Sequence, residues 1–202
     1  MIRKLAALMF ITFVLAFTAL SLRVAGEQAD LASRLIRLHV VGASDSPADQ
    51  ARKLAVRDAL LPELAALTAG CADAGAATAA LREGLPALAD IAARTLGTGE
   101  PAAASLAWEP FPRRDYGTFA LPAGAYRALR ITLGAGEGHN WWCVAFPALC
   151  LPAAAGEEAD VFSEAAVAAG LSDGEIELMS AETPSVQLKF RILDWLSAVF
   201  AP

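Results

Sequence analysis

Gly136 to Cys150 reads GEGHNWWCVAFPALC and gathers two tryptophans, two cysteines and a histidine into one short segment. Those residue types permit thiol chemistry. Cys143 would serve as nucleophile and His39 as its base, with Asp45 or Asn140 orienting the ring. The competing expectation is structural: a strand histidine beside a capped turn is an ordinary hydrogen-bonded residue. Cys143 and Cys150 flank Pro147, and a turn at Phe146-Pro147 would bring their Cα atoms within disulfide range. A bridge, two buried thiols and a reactive or metal-bound thiol are all open, and Cys71 is left unpaired. No CxxC or HExxH occurs, so a metal centre has too few ligands, and no cofactor motif is present. Gly134, Gly136 and Gly138 miss the dinucleotide pattern, because its third glycine falls on His139. They are expected to turn the chain from a strand at Tyr126 to Leu133 into a second at Trp141 to Phe146, as a hairpin.

Two further groups are candidates for binding. Arg57 and Asp58 are neighbours on an expected helix and form either a solvated rim or a partner contact. Trp141 and Trp142 are adjacent on an expected strand, so one of them faces outward and offers an aromatic anchor unless a helix covers it.

The elements that must position these residues follow from periodicity. Ile36, Leu38 and Val40 alternate with Arg37 and His39, the pattern of a strand with one buried face. Ser46 is an expected N-cap with Pro47 at the first helical position and Asp49 in the first turn. Ala51, Leu54, Ala55 and Leu61 would form that helix's apolar stripe, and Pro62 would kink or end it, with Glu63 to Leu67 able to resume it. Leu81, Leu85, Leu88 and Ala92 mark a second amphipathic helix over Ala76 to Leu96, with a kink at Pro86 and a stop at Gly97. Short strands are expected at Ser105 to Trp108 and Phe119 to Leu121. The tail offers a helix near Ser163 to Ala169, a strand at Glu175 to Met179, and a helix from Val186 to Phe200. The fold class is therefore α+β: a mixed, largely antiparallel sheet packed against two or more amphipathic helices.

At the N-terminus Arg3 and Lys4 precede the uncharged run Leu5 to Leu22, which Arg23 ends. This is an export signal cut after Val24-Ala25-Gly26 or a retained membrane anchor. Residues 1–26 are thus read as the leader and 27–202 as one extracytoplasmic domain. Setting aside Arg3, Lys4 and Arg23 leaves 13 basic against 22 acidic side chains, a formal charge of −9. Arg113-Arg114 is the sole basic cluster, so nucleic acid and anionic lipid are poor partners, and membrane contact is expected only through the leader.

Three blocks together resemble the stage II sporulation protein R family: IRLHVVGASDSPADQARKLAVRD from Ile36 to Asp58, YGTFALPAGAYRALRI from Tyr116 to Ile131, and GAGEGHNWWCVAFPALC from Gly134 to Cys150. One departure is visible, Gly42-Ala43 where the family reads Ala-Asn before Ser-Asp-Ser. The resemblance implies a protein made in the forespore that crosses its membrane and triggers a membrane-embedded aspartic protease of the mother cell to process a sigma-factor precursor. It implies a binding role without catalysis, and the contact residues expected are His39, Ser44, Asp45, Arg57, Asp58, Asn140, Trp141 and Trp142. A secreted cysteine-dependent hydrolase of peptide or cell wall, and an anchored scaffold between two membranes, are the rival readings.

Overall fold

The computed structural model describes residues 2–97, 99–116 and 119–149 together with 166, 167, 171, 175, 176 and 179. The elements run α1 (Ile2–Arg34), β1 (Ile36–Val41), α2 (Pro47–Thr68), α3 (Ala74–Leu96), β2 (Ala102–Phe111), β3 (Arg114–Asp115), β4 (Ala120–Leu121), β5 (Gly124–Leu133) and β6 (Asn140–Phe146). This is the expected α+β class. β2, β5, β1 and β6 form a four-stranded sheet in that order, and β3 pairs with β4 in a small second sheet. β1 runs parallel to β5 and antiparallel to β6, and β2 is antiparallel to β5.

The expected hairpin between Tyr126 to Leu133 and Trp141 to Phe146 does not form, because β1 lies between β5 and β6. The glycine loop instead crosses over the end of β1. Parallel β1 and β5 both finish at this end, and it receives the turn after Val41 as well as the loop after Leu133.

Both faces of the sheet are covered at β1, which revises its one-faced reading: all six of its residues are buried. Ile36, Leu38 and Val40 join Leu129, Ile131, Leu133, Cys143 and Ala145 in a core with α2 and α3. On the other face Tyr126, Ala128 and Val144 pack with Phe111, Phe119, Leu121, the end of α1 at Leu31 and Ala32, and Leu35 just after it. Full burial of an aliphatic side chain such as Leu38 contributes about 1.5 to 3 kcal/mol.

α2 begins as its residue types dictate, with Pro47 in the first turn and the Ser46 side chain accepting from Asp49 N. Ser46→Ala should cost about 1 kcal/mol, seen as a lower urea midpoint with an unchanged slope. Neither proline ends its helix; Pro62 and Pro86 are exposed inside α2 and α3, so the carbonyls they leave unbonded face water. The stripe expected on α2 is displaced. Lys53, Val56, Leu60, Leu61, Leu64 and Thr68 are buried, while Ala51, Leu54 and Ala55 are exposed. Alanines on every side of this helix blur the apolar face, and the larger side chains decide which way it turns.

In α3 the expected Leu81, Leu88 and Ala92 are buried, Asp73 caps the start and Gly97 adopts the left-handed conformation at the end. Glu175, Ile176 and Met179 are helical where a strand was expected. Glu175 and Met179 are both buried. Ala166 and Val167 are helical as expected, and Val186 to Phe200 lies outside the described residues.

α1 contains a segment long and apolar enough to cross a membrane. Its last turns belong to the folded body: Gln28 Nε2 donates to Ala123 O at 3.0 Å, Leu31 is fully buried, and Arg34 Nε reaches Glu175 at 2.9 Å. The apolar segment therefore leaves the domain beside the start of β5, at the end of the sheet opposite the glycine loop.

Candidate functional site

The glycine loop and the turn after β1 dock on each other through backbone and side chain together. Gly138 N donates to Gly42 O at 2.9 Å, Glu137 N to Ala43 O at 3.2 Å, and His139 N to Asp45 Oδ1 at 2.6 Å. His139 Nδ1 also meets Asp45 Oδ1, and both side chains are exposed. Beneath them Lys53 Nζ donates to His139 O at 2.9 Å and to Gln50 Oε1 at 2.6 Å, while Gln50 Nε2 donates to Ser44 O at 2.8 Å. The fit leaves no room for a side chain at Gly138, where a Cβ would fall 2.3 Å from Ser44 O.

Charge at this clasp is organised by hydrogen bonds. The side-chain and backbone bonds from His139 hold the Asp45 carboxyl below its ordinary 3.8. Asp49 is lowered likewise, first by the Ser44 hydroxyl, then by Arg52 and Ser46. Burial pushes the Lys53 ammonium down from 10.5, with Asp45 opposing that shift and Arg57 adding to it. The two acids release their protons more readily folded than unfolded. Their stabilisation is thus present at neutral pH and is lost as pH falls below about 4 through the lowered folded values. Unfolding midpoints should be flat from pH 7 to about 5 and drop below 4; Asp45→Asn and Asp49→Asn together should flatten that drop.

One turn beyond Lys53, the Arg57 guanidinium carbon lies 5.1 Å from the centroid of Trp141, and Arg57 Nε donates to Asp58 Oδ1 at 2.7 Å. Asp45, His139, Lys53, Arg57, Asp58 and Trp141 thus follow one another from the loop clasp down α2 and the β6 edge. Asn140 is exposed at the start of β6, opposite Val41. Ser44 is also here, but its hydroxyl is committed to Asp49 and Ser46 N, so its role is to shape the turn.

The remaining expected residues lie elsewhere. His39 is buried on the far face of the sheet, its Nδ1 2.8 Å from Glu109 Oε2 and its ring against Phe111 and Trp142. Trp142 is capped by Arg114, whose guanidinium carbon is 3.8 Å from the ring centroid. Neither tryptophan projects freely: each is partly buried on its own face of the sheet. Cys143 belongs to the helix-side core and pairs with Leu38, whereas His39 pairs with Trp142. Side chains alternate along a strand, so the thiol and the imidazole point to opposite faces and cannot exchange a proton. Asp45 and Asn140 do not orient His39 either, since both lie at the loop end. Cys143 is a buried free thiol, and Cys150 lies outside the described residues. No group of metal-ligating side chains occurs among the described residues.

Four contributors were not legible as such: Arg37, Lys53, Glu109 and His139. Arg37 and Lys53 sit where charge reads as solvent-facing, and only their buried partners give them a role. His139 stood within the tryptophan segment and could have been paired with Asp45 by the shared glycine-turn setting.

The family model for stage II sporulation protein R matches residues 32–155, more than half of the chain. The chain belongs to the stage II sporulation protein R family. Across 182 residues it is 30% identical to the stage II sporulation protein R of Bacillus subtilis (strain 168), covering 82% of this chain and 81% of that protein. No solved structure matches. The matched span contains every strand of the sheet and the loop clasp, and it excludes the apolar part of α1. Within the family segment, the first and third sequence blocks meet in the contact of residues 42–45 with 137–139.

Proposed function

We propose that this protein is an exported sporulation signal that activates a membrane-embedded aspartic protease of the mother cell, so that a sigma-factor precursor is processed. Membership of the family carries the reading. Three features support it. The N-terminal helix fits an export signal or an anchor. The surface from Asp45 and His139 to Arg57, Asp58 and Trp141 combines an exposed ion pair with an arginine-capped tryptophan, residue types that interfaces favour. It begins at the end of the sheet opposite the exit of α1, so a domain anchored in its own membrane, or released into the intermembrane space, presents it outward. The contact set is Asp45, Arg57, Asp58, Asn140 and Trp141 with His139 added, while Ser44 shapes the turn and His39 and Trp142 act from within the fold.

Docking activates the protease if the signal binds its active arrangement more tightly than its idle one; a change from 1:99 to 99:1 takes a preference of about 10⁴-fold. The test is a non-sporulating host that expresses the protease, the precursor and this full chain. Cleavage of the precursor only when the chain is exported is the expected result. An intact precursor beside exported, folded chain overturns the proposal.

A further inference from the structure

Among the described residues, the outer edge of β2 is a long strand edge without a strand partner. β2 is an edge strand of ten residues in unbroken register with β5, and nothing among the described residues pairs with its other side. Edge strands are normally blunted by charge, bulges or shortness. β6, the opposite edge, is shorter, and its register against β1 shifts at Ile36/Arg37. β2 carries no charge from Ala102 to Trp108. Its first acid, Glu109, is turned inward to His39 and Arg130.

The phase of the strand identifies the open groups. Pro110 has no N–H yet stands in register with Ala125, which is tolerated where that side of the backbone faces away from the neighbour. Residues two apart share an orientation, so Ala104, Leu106 and Trp108 direct their N–H and C=O groups outward. Flanking side chains are suited to a ligand. Trp108 is 55% exposed, with the Arg127 guanidinium carbon 5.4 Å from its ring centroid. Ala103, Ser105 and Ala107 are small and exposed, and Arg130 stands partly exposed next to them on β5.

We infer that β2 is a docking edge that takes an extended, acidic segment of the partner protein as a fifth strand. Main-chain hydrogen bonds supply the affinity, Trp108 is the anchor, and Arg127, stacked on that ring, favours acidic side chains beside it, whereas Arg130 is already paired with Glu109. The inference rests on the proposed function, since it names the protease as the source of that segment.

Ala104→Pro removes one outward N–H and leaves the β5 ladder intact, with Ala104→Val as its control. Trp108→Ala removes the anchor without touching the backbone. Each variant is expressed as the full chain with the protease and precursor, and its unfolding midpoint is compared with that of the natural chain. Precursor cleavage and co-purification with the solubilised protease should both fall about tenfold or more for Ala104→Pro and Trp108→Ala and be retained by Ala104→Val. Cleavage and co-purification at natural levels in a folded Ala104→Pro and Trp108→Ala overturn the docking edge alone. A natural chain that triggers no cleavage sinks the proposed function and this inference with it.

Discussion

Arg37→Ala is expected to lower stability by about 3 to 5 kcal/mol, among the largest losses for any single truncation in this chain. Arg37 is fully buried on the far face of the sheet. Its guanidinium carbon lies 4.2 Å from the ring centroid of Phe111, 5.1 Å from that of Tyr126 and 5.9 Å from that of Tyr116, and it donates to the Tyr116 hydroxyl. Aromatic faces hold the charge here; Nε and Nη1 have no hydrogen-bond partner among the described residues. Truncation would leave an opening between three rings and the end of α1. Tyr126 is already so enclosed that burial pushes its hydroxyl up to about 12, and that hydroxyl donates to Pro122 O at 2.8 Å. Arg37→Met fills the same volume without the charge and should be no less stable than the natural chain, because a well-packed apolar side chain avoids the cost of an incompletely bonded buried cation. Urea unfolding of the three proteins separates the two accounts. If methionine loses as much as alanine, the charge and not the volume holds this core.

Gly138→Ala should abolish signalling while costing about 1 to 3 kcal/mol of stability. The added Cβ would lie 2.3 Å from Ser44 O and 2.6 Å from Ser44 C, both backbone atoms that no rotamer change can move. The loop must lift from the turn, and the bonds of Glu137 N, Gly138 N and His139 N to Ala43, Gly42 and Asp45 go together. Precursor cleavage in the co-expression host is the readout. Full cleavage with Gly138→Ala would separate the clasp from the signal and return attention to the β2 edge.

What the residues alone determine here is local. Ser46 and Pro47 open α2 because a hydroxyl acceptor and a missing N–H suit those positions in any context. Period-two alternation marks Ile36 to Val41 as a strand, and an uncharged run after Arg3 and Lys4 marks a helix long and apolar enough to cross a membrane, since both patterns follow from the geometry of one segment. Three blocks of residues also carry the resemblance to the family, and all three lie within the matched span.

Tertiary structure decided the rest, each time through a partner distant in the chain. Strand order came from β1 entering between β5 and β6, a choice no turn sequence encodes, and it replaced a hairpin with a loop clasp. The same insertion put Cys143 and His39 on opposite faces and ended the thiol hydrolase pairing. Coverage of the second face turned Arg37 and His39 from expected solvent-facing residues into buried ones, because aromatic residues from β2, the segment after it and β5 close over them. Periodicity reports which side chains share a face of one element; whether anything covers that face depends on residues whose approach only the folded chain brings about.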